Sequence, residues 1–280
     1  MSTVYEREFE FNRNDFEHIR DLVGERTGIV LSDHKITMVY GRLSRRLRQL
    51  KISTFSQYLK LLEDETGQEL VEFTNALTTN LTSFFREPHH FEYLKDAALP
   101  SLIKHRPSRR LRLWSAGCST GEEPYSIGIT LHEAMESQLR NWDVKILATD
   151  LDTNVVQKGK NGVYEQERVN GIEDKRLRKW FRKGRDIHAG KVSVSENIRQ
   201  MITFKQLNLL HEWPMKGPFD IIFCRNVVIY FGKETQRELF NRYADMLAND
   251  GYLFIGHSEN LHKISDRFQL IGKTIYRKVR

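Results

Sequence analysis

The hydrophobic pattern of this chain changes its period once. Between about residues 10 and 78, apolar side chains recur at helical spacing. In Asp15-Phe-Glu-His-Ile-Arg-Asp-Leu-Val23, Phe16, Ile19, Leu22 and Val23 share one face, and Gly28 stops the run. Ser32-Asp33 predicts the cap of a second helix striped with Met38, Val39, Leu43, Leu47 and Leu50. Thr54 opens a third with Tyr58, Leu59, Leu61 and Leu62, and Gln68 to Leu77 reads as a fourth. Residues 1–78 are therefore expected to form an all-α bundle. From Arg110 onward, short apolar runs alternate with helical segments, which predicts an α/β domain on a mainly parallel sheet with helices on both faces. The runs are Arg110-Leu-Arg-Leu-Trp114, Val144-Lys-Ile-Leu-Ala-Thr-Asp150, Ile202-Thr-Phe-Lys-Gln-Leu207, Phe219-Asp-Ile-Ile-Phe-Cys224 and Gly251-Tyr-Leu-Phe-Ile-Gly256. Helices are expected over Thr153 to Lys160 and Glu234 to Leu247, and a closing hairpin over Phe268 to Val279 about Gly272.

Two segments fall outside this alternation. Residues from about 165 to 205 are rich in charge and glycine, with Lys191-Val-Ser-Val-Ser195 alternating, and read as an inserted subdomain of small strands within a domain spanning 96–280. It is either a partner-binding device or a solvated decoration. The linker 79–95 interleaves Asn80, Thr82 and Arg86 with Leu81, Phe84 and Phe85. Either its two phenylalanines plug the bundle onto the next domain, or its polar groups face a shared cleft.

Between the first strand and its helix lies Ser115-Ala-Gly-Cys-Ser-Thr-Gly-Glu-Glu-Pro-Tyr125. Gly117 and Gly121 permit a tight turn and close approach of a ligand, and the acidic pair and proline suit the first turn of a helix. A bare strand-to-helix turn is the competing reading, because two glycines fall short of a dinucleotide fingerprint.

Composition narrows the field. With 39% hydrophobic and 29% charged residues, the 280-residue chain resembles an ordinary soluble protein with a sizeable core. No apolar run approaches the roughly 18 residues of a membrane helix, and the polar start Met1-Ser-Thr-Val-Tyr-Glu-Arg-Glu is no signal peptide, so a cytoplasmic protein is expected. The only two cysteines, Cys118 and Cys224, suggest reduced side chains in tight places rather than a disulfide framework or metal site. A formal charge of +7 points to an acidic partner.

In a doubly wound sheet the strand carboxyl ends share one edge, so their terminal residues form a single site. Collecting them gives Gly117 and Gly121, Asp150, Asn208, and Arg225-Asn226. Asp150 suits two ribose hydroxyls and Asn208 a purine edge. Glu122 and Glu123 would repel a pyrophosphate at the helix start and favour a ligand carrying positive charge, so S-adenosylmethionine is preferred to NAD.

The same residues resemble a known family. Thr79-Asn-Leu-Thr-Ser-Phe-Phe-Arg86, Trp114-Ser-Ala-Gly-Cys-Ser-Thr-Gly-Glu-Glu-Pro-Tyr-Ser126, Phe219-Asp-Ile-Ile-Phe-Cys-Arg-Asn-Val-Val-Ile-Tyr-Phe231 and Gly256-His-Ser-Glu-Asn260 are similar to the CheR chemotaxis receptor methyltransferases. The resemblance runs over nearly the whole chain. It implies a Rossmann-like methyltransferase domain behind an all-α domain, and transfer of a methyl group from S-adenosylmethionine to chemoreceptor glutamates. It also implies a cofactor site of Asn80, Thr82, Arg86, Glu123, Asp150, Asn208, Leu209, Arg225 and Asn226, and an inserted subdomain able to dock a receptor's carboxyl-terminal peptide. No metal is expected. Arg86 and Tyr230 are the candidates for orienting the reacting groups, Tyr230 having a core aromatic as its alternative.

The second helix crowds Arg42, Arg45, Arg46 and Arg48 on one side, either as a solvated face or as a surface for the acidic methylation helices of receptor cytoplasmic domains. Two other functions compete. A nucleic-acid methyltransferase would usually carry an Asn/Asp-Pro-Pro-aromatic motif after the fourth strand, where this chain reads Arg225-Asn-Val-Val-Ile-Tyr230. A catalytically lost adaptor sits poorly with intact Arg86, Asp150 and Asn226. The expected setting is the cytoplasm, at receptor arrays, with no nucleic acid bound and no membrane insertion.

Overall fold

A computed structural model of the chain describes residues 7–64 and 67–280. The start Met1 to Glu6, expected to be no leader, lies outside the described residues. The chain forms two compact units, one of residues 1–79 with Tyr230–Gly232, the other of residues 80–229 and 233–280.

The first unit holds α1 (Arg13–Thr27), α2 (Ile36–Leu50), α3 (Phe55–Leu62) and α4 (Gln68–Leu77). Asn12 and Asp15 make a reciprocal capping box at the start of α1, and Gly28 closes it in the left-handed conformation that a glycine adopts without strain. Thr54 caps α3 by accepting from the Gln57 amide. Ser32 is a correction: it precedes a 3-10 turn at Asp33–Lys35 and makes no side-chain cap, so α2 begins only at Ile36. Phe16, Ile19, Val39, Leu43, Leu47, Phe55, Tyr58 and Phe73 fill the bundle core. Ile29 and Phe231 pair as an isolated antiparallel bridge, with the Val30 amide donating to the Tyr230 carbonyl at 2.9 Å.

The second unit opens with three helical pieces that the linker reading did not anticipate: α5 (Pro88–Tyr93), a π turn (Leu94–Ala98) and α6 (Leu99–His105). There follow β1 (Arg110–Ala116), α7 (Glu122–Met135), β2 (Asp143–Asp150), α8 (Thr153–Asn161), β3 (Val163–Glu165), α9 (Asp174–Trp180), β4 (Phe181–Lys183) and β5 (Lys191–Val194). The chain ends through α10 (Glu196–Arg199), β6 (Ile202–Gln206), β7 (Phe219–Cys224), α11 (Lys233–Met246), β8 (Leu247–Ile255), β9 (Phe268–Gly272) and β10 (Ile275–Lys278).

Seven strands form the main sheet in the order β6-β2-β1-β7-β8-β10-β9. The first five are parallel; β10 pairs antiparallel with β8 and closes the expected hairpin with β9. The inserted excursion is shorter than its composition suggested. Its strands β3, β5 and β4 make a separate three-stranded antiparallel sheet, whereas β6, placed at 202–206, belongs to the main sheet as its edge.

β7 is buried along its whole length, as an apolar central strand should be. Its one charged residue, Asp220, is bound by Arg106 Nε at 2.7 Å and by the Arg112 amide at 2.8 Å, which ties the amino ends of β1 and β7 together. The strand order reverses between β1 and β7, and this switch point puts a crevice at the carboxyl edge where Gly117 and Arg225 begin their loops. Among the described residues, no helix is long and apolar enough to cross a membrane.

Candidate active site

The segment after α4 belongs to the sheet unit and is fastened to the switch-point edge by its own backbone. The Asn80 carbonyl accepts from Ser119 Oγ at 3.0 Å, and Asn80 Nδ2 donates to Asp152 at 2.7 Å. Arg168 Nη2 donates to the Thr82 carbonyl at 2.9 Å, and the Phe85 amide donates to Ser126 Oγ at 2.9 Å. Phe84 inserts edge-on between Tyr164 and Phe181, 5.0 and 5.2 Å away. The two phenylalanines therefore seat this segment on the sheet unit's own core, with Phe85 against Phe91. Arg86 is half-buried and donates Nη1 to the Leu81 carbonyl at 2.9 Å.

Arg225 is the hub. Its buried guanidinium donates to Glu123 at 3.1 Å and to the Arg86 carbonyl, and Nη2 lies 3.5 Å from Glu87. Glu123 also accepts from Ser115 Oγ at 2.7 Å; burial pushes its carboxyl up, against the pull of Arg225. Glu122, fully buried, accepts from Thr120 Oγ1 at 2.6 Å and pairs with Arg168 Nε at 3.2 Å. The acidic pair is thus not a bare negative patch, as its position at a helix start suggested, because each member holds an arginine. Among the described residues, Glu87, Asp150 and Asp152 add further carboxylates at the same edge, Glu87 facing Arg225 at 3.5 Å and His257 at 3.0 Å.

Four amides of the glycine loop are already engaged. The amides of Gly117 and Cys118 both donate to the Thr149 carbonyl, at 2.8 and 2.9 Å; Ser119 donates to Asp150 Oδ2 at 2.7 Å and Gly121 to the Cys118 carbonyl at 3.0 Å. No donor of that set is left to cradle a pyrophosphate. The glycines are needed for packing rather than for ligand room. Gly117 has φ +91° and a Cβ there would stand 2.3 Å from Val227 Cγ2; Gly121 has φ +98° and would meet Gly159 and the Tyr164 hydroxyl at 2.9 Å.

Asp150, at the end of β2, accepts from the Ser119 and Asp152 amides, yet burial raises its carboxyl to about 6. Asn208 makes a local turn, its Oδ1 accepting from the Leu210 amide at 3.0 Å, so the purine-edge expectation meets an amide already capping its own loop. Leu209 is buried beside it, and Arg242 and Trp213 hold its carbonyl at 2.7 and 3.2 Å. The Leu207 amide donates to the Asp150 carbonyl at 2.9 Å and brings this loop to the same edge. Asn226 sits at φ +59° directly after Arg225.

Asn80, Thr82, Arg86, Gly117, Glu123, Asp150, Asn208, Leu209, Arg225 and Asn226 thus gather at one sheet edge. Tyr230 is half-buried and clusters with the helical unit. The arginines expected to face the receptor also belong to that unit, where α2 divides them. Arg42 donates to the carbonyls of Ala76 and Thr78 at the end of α4, and burial lowers its pKa. Arg46 forks onto Glu69, which also accepts from Tyr58 at 2.8 Å. Arg45 is exposed, and Arg48 is exposed with a surface pair to Glu8 at 3.0 Å.

Sequence reasoning missed Glu87, Arg168, Arg242 and Glu259. Glu87 and Glu259 lie inside or beside motifs already singled out, so the motifs were their signal; Arg168 and Arg242 have none that a single sequence displays. Glu87, His89 and His90 bring three ligand-type atoms within 4.8 Å of one another. Glu87 already faces Arg225 at 3.5 Å and His257 at 3.0 Å, so a metal ion would add a further cation to an occupied carboxylate. Cys118 and Cys224 are both buried free thiols.

Comparison with known proteins matches both units. Residues 80–277 match the family described as CheR methyltransferase, SAM binding domain, and residues 14–78 match CheR methyltransferase, all-alpha domain. The chain is 46% identical over 271 residues to chemotaxis protein methyltransferase 2 of Pseudomonas aeruginosa, covering 96% of this chain and 95% of that one. It is 45% identical over 263 residues to the chemotaxis protein methyltransferase of Escherichia coli, covering 93% and 89%. The corresponding protein of Salmonella typhimurium is 44% identical over 263 residues, covering 93% and 88%. The carboxylates at this edge fit the cationic S-adenosylmethionine that the matched domain is described as binding, and the protein belongs to the CheR methyltransferase family.

Proposed function

We propose that the protein transfers the methyl group of S-adenosylmethionine to glutamate side chains on the cytoplasmic helices of chemoreceptors, forming glutamate methyl esters. The reading is carried by the match to chemotaxis protein methyltransferases over nearly their full length. The bound cofactor supplies an electrophilic methyl on a sulfonium. A glutamate carboxylate is already ionised at neutral pH, its reference pKa being about 4.3, so the chain needs no general base. Its task is alignment and exclusion of water, which can contribute roughly 7–11 kcal/mol in ideal cases.

In this reading Asp150 receives the ribose hydroxyls, and Asn208 and Leu209 bound the base. Glu123, with Asn80, Thr82, Gly117, Arg225 and Asn226, encloses the methionine end. Arg86 orients the acceptor carboxylate, loosely enough that the ground state is not held as tightly as the transition state. The protein acts in the cytoplasm at receptor arrays. Arg45 and Arg48 meet the acidic methylation helices, since Arg42 and Arg46 already serve α4. A receptor carboxyl-terminal peptide would add to an edge of the small sheet, where β3 and β4 are the outer strands.

Incubation with methyl-labelled cofactor and receptor membranes tests the function directly. Base-labile label released as methanol is expected, and base-stable label would exclude a carboxyl ester. Arg86→Ala should lower turnover by about a hundredfold while S-adenosylhomocysteine still binds; turnover near wild type removes the role given to Arg86. Reversing Arg45 and Arg48 to Glu should weaken receptor methylation by about tenfold or more and leave cofactor affinity unchanged. Equal loss of both would mean misfolding.

Asp150 makes the cofactor site sensitive to pH. Because its folded pKa is raised to about 6, the native state keeps a proton that the unfolded chain releases near 3.9, so this group's contribution to stability falls as pH rises through that window. Ribose hydroxyls donate to the ionised form. S-adenosylhomocysteine affinity should therefore increase from pH 5 to 7 with proton release near pH 6, measured by calorimetry in buffers of different ionisation enthalpy. Asp150→Asn should bind weakly and without that dependence; a pH-independent wild type would sink the assignment.

A further inference from the structure

Beyond the residues that face the crevice, one buried carboxylate governs the backbone around it. Glu259 is 5% exposed and accepts four main-chain hydrogen bonds: Oε1 from the Val227 and Val228 amides at 2.8 and 2.9 Å, Oε2 from the Asn226 amide at 3.0 Å and from the Gly256 amide. An ionised carboxylate is acceptor-only and offers about four lone-pair sites, so this one is saturated. The chain leaving β7 turns at once, with Asn226 at φ +59°, and the three successive N–H groups of Asn226, Val227 and Val228 all meet Glu259. Buried without an acceptor, each would cost about as much as a lost hydrogen bond.

The turn that Glu259 holds reaches two glycine positions. Val227 Cγ2 occupies the place a Cβ on Gly117 would need, 2.3 Å away, and a Cβ on Gly256 would stand 2.4 Å from Asn226 Nδ2. Val228 in turn passes its carbonyl to Gln236 of α11 at 2.9 Å. The carboxylate therefore locks the turn between the end of β8 and the glycine loop, and fixes the stem from which Arg225 projects.

We propose that Glu259 is a positioning residue for the cofactor site, acting through the Asn226–Val228 turn on the glycine loop and on Arg225. The proposal rests on the cofactor-site reading of this edge and does not depend on which substrate is methylated.

The test compares wild type with Glu259→Gln and Glu259→Asp. Glu259→Gln sets an amide donor against backbone donors and is expected to weaken S-adenosylhomocysteine binding about tenfold or more by calorimetry, with unfolding still cooperative. Glu259→Asp keeps the charge and should recover part of that loss. Amide hydrogen exchange should quicken at residues 226–228 and 256 and stay at the wild-type rate in β1 and β2. Wild-type affinity in folded Glu259→Gln overturns the proposal, as does exchange that quickens equally across the sheet, the mark of general destabilisation. If Glu259→Gln does not fold, Glu259→Asp decides: weaker binding with unchanged β1 and β2 exchange supports the role, and unchanged binding overturns it. A wild type that binds S-adenosylhomocysteine yet labels no receptor would defeat the proposed substrate alone.

Discussion

A guanidinium cannot shed its proton to escape burial, so the end of β7 dictates what must surround it. Arg225 leaves its side chain 2% exposed, and an arginine in that position is tolerated only if its charge and its donors are met. The partners come from far along the chain: Glu123 lies 102 residues away and the Arg86 carbonyl 139. One buried cation thus draws the first turn of α7 and the 80–87 segment to the switch point. The cofactor crevice is a by-product of that convergence, because the groups that neutralise Arg225 are also those that line the edge.

The glycine loop shows how local appearance and local chemistry part company. Two glycines between a strand and a helix look like room for phosphate. Three consecutive amides, Gly117 to Ser119, instead fold back onto the end of β2, two to Thr149 and one to Asp150. What the loop offers a ligand is an acidic surrounding held in register by arginines. The preference for a cationic cofactor survives, but its cause moves from an unpaired glutamate pair to the further carboxylates of Glu87, Asp150 and Asp152 at the same edge.

Most of the architecture was legible because it follows from burial. The apolar run Phe219–Cys224 could only be a central strand, Val39, Leu43 and Leu47 of the α2 stripe face the core while Leu50 at its end is exposed, and the paired runs about Gly272 made the final hairpin. The strand-end rule then named Asp150, Arg225 and Asn226 without coordinates. The rest was hidden for physical reasons. Helices α5 and α6 are short, six and seven residues, and carry too few turns for a periodic signal. Arg168 and Arg242 act on backbone carbonyls and a distant carboxylate, contacts that depend on tertiary placement. Glu259 lay within a quoted motif, yet its role is to satisfy amides of another loop, and no spacing rule announces that.

The arginines of α2 carry the same lesson to a surface. Four cations within seven positions read as one basic face, but a helix turns about 100° per residue and so cannot present all four in one direction. Arg42 and Arg46, one turn apart, point toward α4, where one closes the helix end and the other binds Glu69. Their charge is therefore structural, and reversing either would damage the bundle before it touched any partner. Arg45 and Arg48, three residues apart on the outward side, keep their charge available; the exposed Arg48–Glu8 pair holds little, since such pairs contribute about 0–1 kcal/mol. A count of basic residues thus overstates the charge available on the outward side of α2 about twofold, two of the four arginines being engaged by α4.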